Sequence, residues 1–275
     1  MPELPDVEGF RRLLQSHVVD EQITAVEVRD RGVLRDRSSD EFVQKLEGRR
    51  FGEPDRQGKW LLAPTDGPTL VFHFGMTGSL IWDGADGELQ RFDRVSISVG
   101  NGRLIFRDQR KLRGLWLADD DDGLAKILGE QGPDALGLSG QRLMERVVGR
   151  NGALKSVLMD QRVLAGLGNM LSDEVLWRAR IHPTRPFRDL QSRDGRTLVV
   201  ACSGYSEPRC RSERSRDEPP GSVRNAHNRT RIVHVAGIGW RPAASVAVPP
   251  TGARPASRSP PEPPRGSGLG GDFFS

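Results

Sequence analysis

The spacing of apolar residues changes period along this chain, and that change limits what it can fold into more than any other feature. After an opening helical stretch in which Val7, Phe10, Leu14 and Val18 recur at helix spacing, residues 23–108 carry β-branched, alternating runs. These are ITAVEVRD (23–30), GKWLLAPT (58–65), TLVFHFGMTGSLIW (69–82) and RVSISVGNGRLIFRD (94–108). Alternation turns one face of each run toward a core, and Asn101-Gly102 in the last run is a strong hairpin signal. One short helix interrupts at 38–48, with Ser and Asp placed to cap it and Gly48 to stop it. DDDDG (119–123) reads as a solvated linker run, and beyond it the period becomes helical in GLAKILGE, SGQRLMERVVG, ALKSVLMDQRVL and MLSDEVLWRARIHP.

The pattern predicts an α+β chain: a two-layered β-sandwich with a leading helix over 1–118, a linker over 119–133 and an all-helical domain over 134–195. From 196 to 275 the composition breaks. Residues 201–275 contain no lysine, hold 11 of the 19 prolines and show no sustained apolar period. Such an Arg/Pro-rich tail buries too little apolar surface to offset its ordering entropy, so disorder is expected there. The composition is also what a GC-rich gene gives when read out of frame beyond about residue 195.

Charge location matters more than the formal +4. Residues 1–200 hold 30 Lys and Arg against 31 Asp and Glu, while residues 201–275 hold 11 against 6. Bulk charge therefore gives no argument that the body binds nucleic acid; only local clusters can. No run of about 18 apolar residues exists, the N-terminus lacks a signal pattern, and two cysteines make no disulfide framework. A cytoplasmic, non-membrane protein is expected.

The opening MPELPDVEGF carries the most reactive candidate. Removal of Met1 would free the Pro2 nitrogen, a secondary amine with a reference pKa near 8, so roughly a tenth of it is neutral and nucleophilic at pH 7. Attack of such an amine on a sugar C1′ gives an iminium ion, an electron sink suited to releasing a base and then eliminating phosphate. Glu3, next in sequence, can move protons in those steps. On these residues alone a plain helix lead-in is the simpler account, because Pro5, Asp6 and Glu8 are ordinary helix-start residues.

Five segments in fixed order change that weighing: PELPDVE at the start, QGKWLL (57–62), HFGMTGSL (73–80), DQRKLRG (108–114) and LKSVLMDQRVLAGLGNMLSDEVLWRARIHP (154–183). Together they resemble the formamidopyrimidine-DNA glycosylase and endonuclease VIII family of base-excision repair enzymes. The last segment is similar to that family's helix–two-turns–helix, and Leu4 favours the formamidopyrimidine branch. The resemblance implies Pro2 as Schiff-base nucleophile, Glu3 as general acid and Lys59, in QGKWLL, as the catalytic lysine on a strand hairpin. It implies that Met76 wedges into the gap left by a flipped base and that Arg110 faces the orphaned partner. Leu112 stands where the family's DPRRFG has phenylalanine, and Arg113 stands for its glycine, which puts the loop's shape and opposite-base preference in question. Pattern alone would make Met76 a core methionine.

Lys155 and Asn169 are the implied phosphate contacts. In the turn AGLGN (165–169) two glycines permit close backbone approach, and Asn169 opens a helix whose N–H groups favour an anion. Family members usually end in a zinc ribbon with paired C-x2-C motifs. That ligand pattern is absent here, since Cys202, Cys210, His227 and His234 fit no familiar zinc frame, so no cofactor is expected. The implied partner is double-stranded DNA with damaged bases or abasic sites, bound by a monomer. The implied activity is a bifunctional glycosylase and abasic-site lyase acting on oxidised purines such as 8-oxoguanine and formamidopyrimidines. Its rivals are action on oxidised pyrimidines, a catalytically impaired damaged-DNA binder, and an RNA binder sharing only the helical motif. Binding alone has no use for Pro2, Glu3 and Lys59 together.

Overall fold

The computed structural model describes residues 1–84, 87–147 and 152–203. The chain opens with α1 (Leu4–His17), where the Glu3 N–H donates to Asp6 Oδ2 at 2.9 Å and Pro5 occupies the second helical position, one place further in than its sequence suggests. Then come β1 (Ile23–Val28), α2 (Ser39–Leu46), β2 (Asp55–Gln57), β3 (Trp60–Ala63), β4 (Thr69–His73), β5 (Ser79–Gly84), β6 (Asp93–Val99), β7 (Gly102–Arg107) and β8 (Gly114–Ala118). All pairings are antiparallel, in two four-stranded sheets ordered β1-β6-β7-β5 and β2-β3-β4-β8. The expected sandwich with a leading helix is the fold observed. Its core takes Val7, Phe10 and Leu14 from α1 and packs them with Phe72, Phe74 and Phe106.

Two strand expectations need correction. TLVFHFGMTGSLIW is two strands, because β4 ends at His73 and the chain turns through 74–78 into the other sheet. The turn is tight enough that the Gly78 N–H donates to the Phe74 carbonyl at 2.8 Å, and a Cβ on Gly78 would meet that oxygen at 2.4 Å. The β6–β7 hairpin turns on Gly100 and Asn101, one residue earlier than the Asn-Gly pair suggests. Gly100 takes the positive φ of +54°, whereas Gly102 pairs in the strand and leaves room for Trp82.

DDDDG is no solvated linker. Asp120 caps α3 (Asp121–Leu128) by accepting from the Gly123 N–H at 2.7 Å, and Asp119 pairs with Lys45 and Arg37, both at 2.6 Å. Leu124, Ile127 and Leu128 of α3 then cover Trp60, Leu62, Val71 and Ala118 on the outer face of the second sheet. The acidic run is thus helix-start chemistry for an element that extends the first domain into the expected linker.

The helical domain contains α4 (Gly140–Val147), α5 (Leu154–Met159), α6 (Asn169–Ala179) and α7 (Ser192–Ser203). ALKSVLMDQRVL is helical only to Met159. Asp160 then accepts from the Arg162 N–H at 3.0 Å and bends the chain into a turn, and Val163, Leu164 and Leu167 enter the core from it. The boundary expected at 195 falls inside α7, whose Leu198, Ala201 and Cys202 are core residues. The remainder of the expected tail, with Cys210, His227 and His234, lies outside the described residues. Leu4 belongs to this second core while Val7 belongs to the first, so the start of α1 joins the two.

Candidate active site and DNA-facing loops

The N-terminal residues dock into the turn between α5 and α6. The Leu4 N–H donates to the Gly166 carbonyl at 3.2 Å. The Glu3 carboxylate accepts from the N–H groups of Gly168 (2.9 Å), Met170 (3.1 Å) and Leu171 (3.0 Å). A carboxylate suits the positive end of a helix, and this one is only 4 % exposed, so its position is fixed from the far domain. The glycines of AGLGN serve this docking. A Cβ on Gly168 would lie 2.4 Å from Glu3 Cδ, and one on Gly166, whose φ is +111°, would lie 2.4 Å from Leu4 Cδ1.

That arrangement corrects the reading of the α6 N-terminus as a free anion site. Three of its N–H donors are already used by Glu3. Asn169 remains exposed beside them as a side chain.

Lys59 sits with Gly58 at the tip of the β2–β3 hairpin, where Gln57 pairs with Trp60 and Gly58 takes φ +59°. A glycine first in a two-residue loop is the arrangement that such a hairpin favours. The tip lies on the same turn that receives Glu3, since a Cβ on Gly58 would be 2.8 Å from Ala165 Cβ. Pro2, Glu3 and Lys59 are therefore gathered around residues 165–168, although Lys59 is some 56 positions from Glu3 in sequence. Burial holds the Lys59 ammonium below its ordinary value, opposed in part by the nearby Glu3 charge.

Sequence reasoning missed what fixes this hairpin. Arg56 Nη1 and Nη2 donate to the two oxygens of Asp134 at 2.6 and 3.0 Å, Arg56 Nε donates to Glu8 at 3.1 Å, and the Gly58 N–H donates to Asp134 at 2.7 Å. Glu8 also accepts from Arg11 and Arg12. Burial raises the Glu8 carboxyl, but hydrogen bonds from Arg11, Arg56 and Arg12 outweigh it and hold the group at about 2. Arg11 and Arg12 lie one helical turn from Glu8, but separations of 48 residues from Glu8 to Arg56 and 78 from Arg56 to Asp134 hid the rest of the network.

His73 is a second residue without an assigned role in the sequence. Its Nδ1 accepts from the Gly75 N–H at 3.1 Å and its ring meets Trp60 edge-on at 4.6 Å. Burial, then Arg113, then Lys59 push its pKa down to about 4. It is therefore neutral at pH 7, and with Nδ1 accepting, its proton lies on Nε2.

The wedge candidates come together on two loops. Met76 is 44 % exposed and Leu112 49 % exposed, so Met76 is not a core methionine, and Arg110 Nη1 lies 3.1 Å from Met76 Sδ. Buried Asp108 ties the loops: its Oδ1 accepts from Thr77 Oγ1 at 2.5 Å and from the Arg110 N–H at 3.1 Å. Arg35 clamps the second loop through the Lys111 and Arg113 carbonyls, each at 2.9 Å. Lys111, with φ +52°, takes the left-handed position of that loop, so replacing the family's glycine by Arg113 leaves no strain at 113. Lys155 pairs with Asp173 on α6 at 2.7 Å, so part of its charge is neutralised within the protein.

Cys202 is buried in the helical core, and burial pushes its thiol up to about 12, the state of a packed cysteine and not of a thiolate ligand. Among the described residues no group of three metal-ligating side chains exists.

A β-sandwich and a helix–two-turns–helix unit, joined where the chain's first residues cap a helix of the second domain, define the class of this protein. Residues 1–115 match the family model described as the formamidopyrimidine-DNA glycosylase N-terminal domain, and residues 131–203 match the formamidopyrimidine-DNA glycosylase H2TH domain. The second match continues past 195, in agreement with α7. A formamidopyrimidine-DNA glycosylase of a Roseiflexus species is 39 % identical over 197 residues, covering 70 % of this chain and 72 % of the relative. That of Geobacter sulfurreducens is 38 % identical over 205 residues, covering 73 % and 75 %. Among solved structures, the complex between the Lactococcus lactis Fpg and an abasic site containing DNA superposes with TM-score 0.68 at 27 % identity, covering 74 % of this chain and 76 % of that one. The chain belongs to the formamidopyrimidine-DNA glycosylase family.

Proposed function

We propose that this chain removes oxidised purines, 8-oxoguanine and formamidopyrimidines, from double-stranded DNA through a Schiff base on Pro2 and then cleaves the abasic site. Family membership carries the coarser part, a DNA glycosylase for damaged bases with lyase activity. The lesion class and the covalent route are the finer reading. The observation that carries it is the convergence of Pro2, Glu3 and Lys59 on the 165–168 turn, with Glu3 held by three backbone N–H groups. A DNA-binding surface has no need of a buried carboxylate beside an N-terminal proline.

In this reading Met1 is removed and the neutral Pro2 amine attacks C1′ of the flipped nucleotide. The C1′–N bond to the base breaks and its electron pair leaves with the base; the Pro2 nitrogen gives up its proton, its lone pair then forms the C=N bond as the C1′–O4′ bond opens, and Glu3 relays a proton to the departing base or the ring oxygen. The resulting iminium draws electrons from C2′ as that carbon loses a proton, and phosphate departs with the C–O electron pair. Lys59, a compact cation lowered by burial, stabilises negative charge at the departing phosphate. Met76, Arg110 and Leu112 fill the vacated stack, which offsets the few kcal/mol that extrusion costs. Lys155 and Asn169 contact backbone phosphates, Lys155 after exchanging its Asp173 partner. The lesion-bearing DNA named in the solved relative's complex is the partner this reading assigns.

Borohydride trapping on a duplex with one 8-oxoguanine tests the route. A covalent adduct is expected with the native chain, and Pro2→Gly should abolish it while leaving duplex binding within about threefold, roughly 0.7 kcal/mol. Binding without any adduct, or an N-terminus that retains Met1, would overturn the Schiff-base reading in favour of an inert damaged-DNA binder.

A further inference from the structure

The sheet β2-β3-β4-β8 ends in one row of paired residues, Trp60 opposite His73 and His73 opposite Gly114. Lys59 precedes Trp60 and Arg113 precedes Gly114, so both stand beyond the same end of the sheet, on either side of the strand that carries His73. The 75–77 turn closes over this end. A Cβ on Gly75 would lie 3.4 Å from the Arg113 backbone nitrogen and 3.5 Å from its Cβ.

The charges here are distributed unevenly. Neighbouring cations have partners: Lys111 and Arg94 share Asp30 at 2.9 Å each, Arg35 holds two carbonyls, Arg110 rests on Met76, and Lys155 is paired with Asp173. Among the described residues the Lys59 ammonium and the exposed Arg113 guanidinium have no hydrogen-bond or ion-pair partner. Both charges act on His73, which holds its Nδ1 inward on Gly75 and so carries its remaining donor on Nε2. The one carboxylate whose charge reaches Lys59, that of Glu3, has its oxygens committed to three N–H groups of the 168–171 segment. Two cations flank a neutral imidazole donor at one sheet end, without an acid among their partners, and an anion there would relieve the repulsion between the two charges.

We propose that Arg113 binds a phosphate of the DNA backbone at this end of the sheet, next to Lys59. This deepens the proposed function and rests on it. A guanidinium meets phosphate oxygens through two parallel hydrogen bonds, which fixes orientation as well as supplying charge. Because the loop takes its left-handed turn at Lys111, Arg113 is free to present its side chain without backbone strain. The body carries no net positive charge, so each local contact of this kind has a large share in affinity.

The test is equilibrium binding of the full chain to a duplex with a tetrahydrofuran abasic analogue, across a range of salt. Arg113→Gly should weaken binding about tenfold and reduce the slope of log affinity against log salt by about one, while Arg113→Lys should keep the slope. A set of duplexes with one uncharged methylphosphonate each should include one position that costs the native chain about what Arg113→Gly costs, and that costs the variant nothing more. An unchanged slope in Arg113→Gly, or losses that multiply at every methylphosphonate position, overturns the proposal. A native chain that binds this duplex but forms no borohydride adduct on 8-oxoguanine overturns the Schiff-base reading and leaves the Arg113 result to stand by itself. A native chain that does not prefer the tetrahydrofuran duplex to undamaged DNA overturns both.

Discussion

The Pro2–Glu3–Lys59 cluster and the Met76–Arg110–Leu112 loops are constructed in opposite ways. In the first, the groups are held from within the protein: the Glu3 side chain is buried and accepts three hydrogen bonds, and the backbone of the Lys59 hairpin is tied to α1 and to Asp134 through Arg56. In the second, the backbone is fixed by Asp108, Thr77 and Arg35, while the side chains of Met76 and Leu112 are half exposed. The difference suits the tasks proposed for them. Proton and charge transfer depends on preset geometry, whereas a wedge must leave water and enter a base stack, so its apolar surface is left uncovered until DNA is present.

The comparison breaks most visibly at Arg56. Arg56→Met takes from Asp134 its guanidinium partner and from Glu8 one of three, so we expect a loss of about 3 kcal/mol in chemical denaturation together with loss of the borohydride adduct. The pH profile sharpens this. Glu8 is held at about 2, below its ordinary 4.5, so its contribution to stability is complete above 4.5 and lost as pH falls toward 2. Arg56→Met removes one of its three guanidinium partners, so the folded-state value moves back toward 4.5, and the acid-dependent loss of melting temperature should become smaller and be complete at a higher pH. A variant with native stability and an unchanged acid limb would show that the hairpin is held by something else.

Gly168→Ala is expected to act next most strongly. The added methyl would overlap Glu3 Cδ, and displacing that carboxylate should cost about 1–3 kcal/mol and reduce single-turnover base release more than tenfold. If the melting temperature falls while base release stays native, the placement of Glu3 does not govern the chemistry. The smallest stability effect belongs to the loops. Leu112→Ala removes a half-exposed side chain and should change stability by less than about 0.5 kcal/mol, yet weaken lesion binding because the vacated stack is less well filled. Equal losses in both measurements would place Leu112 in the protein's own packing.

Much of the architecture is legible in the sequence because it is local. The alternating runs of β1, β3, β4, β6 and β7 and the helical spacing of α1 and α6 depend on residues a few positions apart. What escaped was set by contacts across the fold. Strand TLVFHFGMTGSLIW broke at Gly75 and Gly78 because the chain must change sheets there, and DDDDG became an N-cap because apolar residues of α3 had a sheet face to cover. AGLGN looked like a phosphate turn, since two glycines before a helix are equally suited to a phosphate or to a carboxylate from the chain's own N-terminus.

The amino-acid sequence by itself determined the two-part plan, the candidate nucleophile Pro2 and the order of motifs that marks the family, because period, residue chemistry and spacing are properties of the chain read locally. Only the tertiary structure decided that Glu3 caps α6, that Arg56 links α1 to Asp134, and that Lys59 and Arg113 share one end of a sheet. The reason is physical. Charges far apart in sequence acquire partners, or are left without them, only when burial and strand register bring them within hydrogen-bond distance.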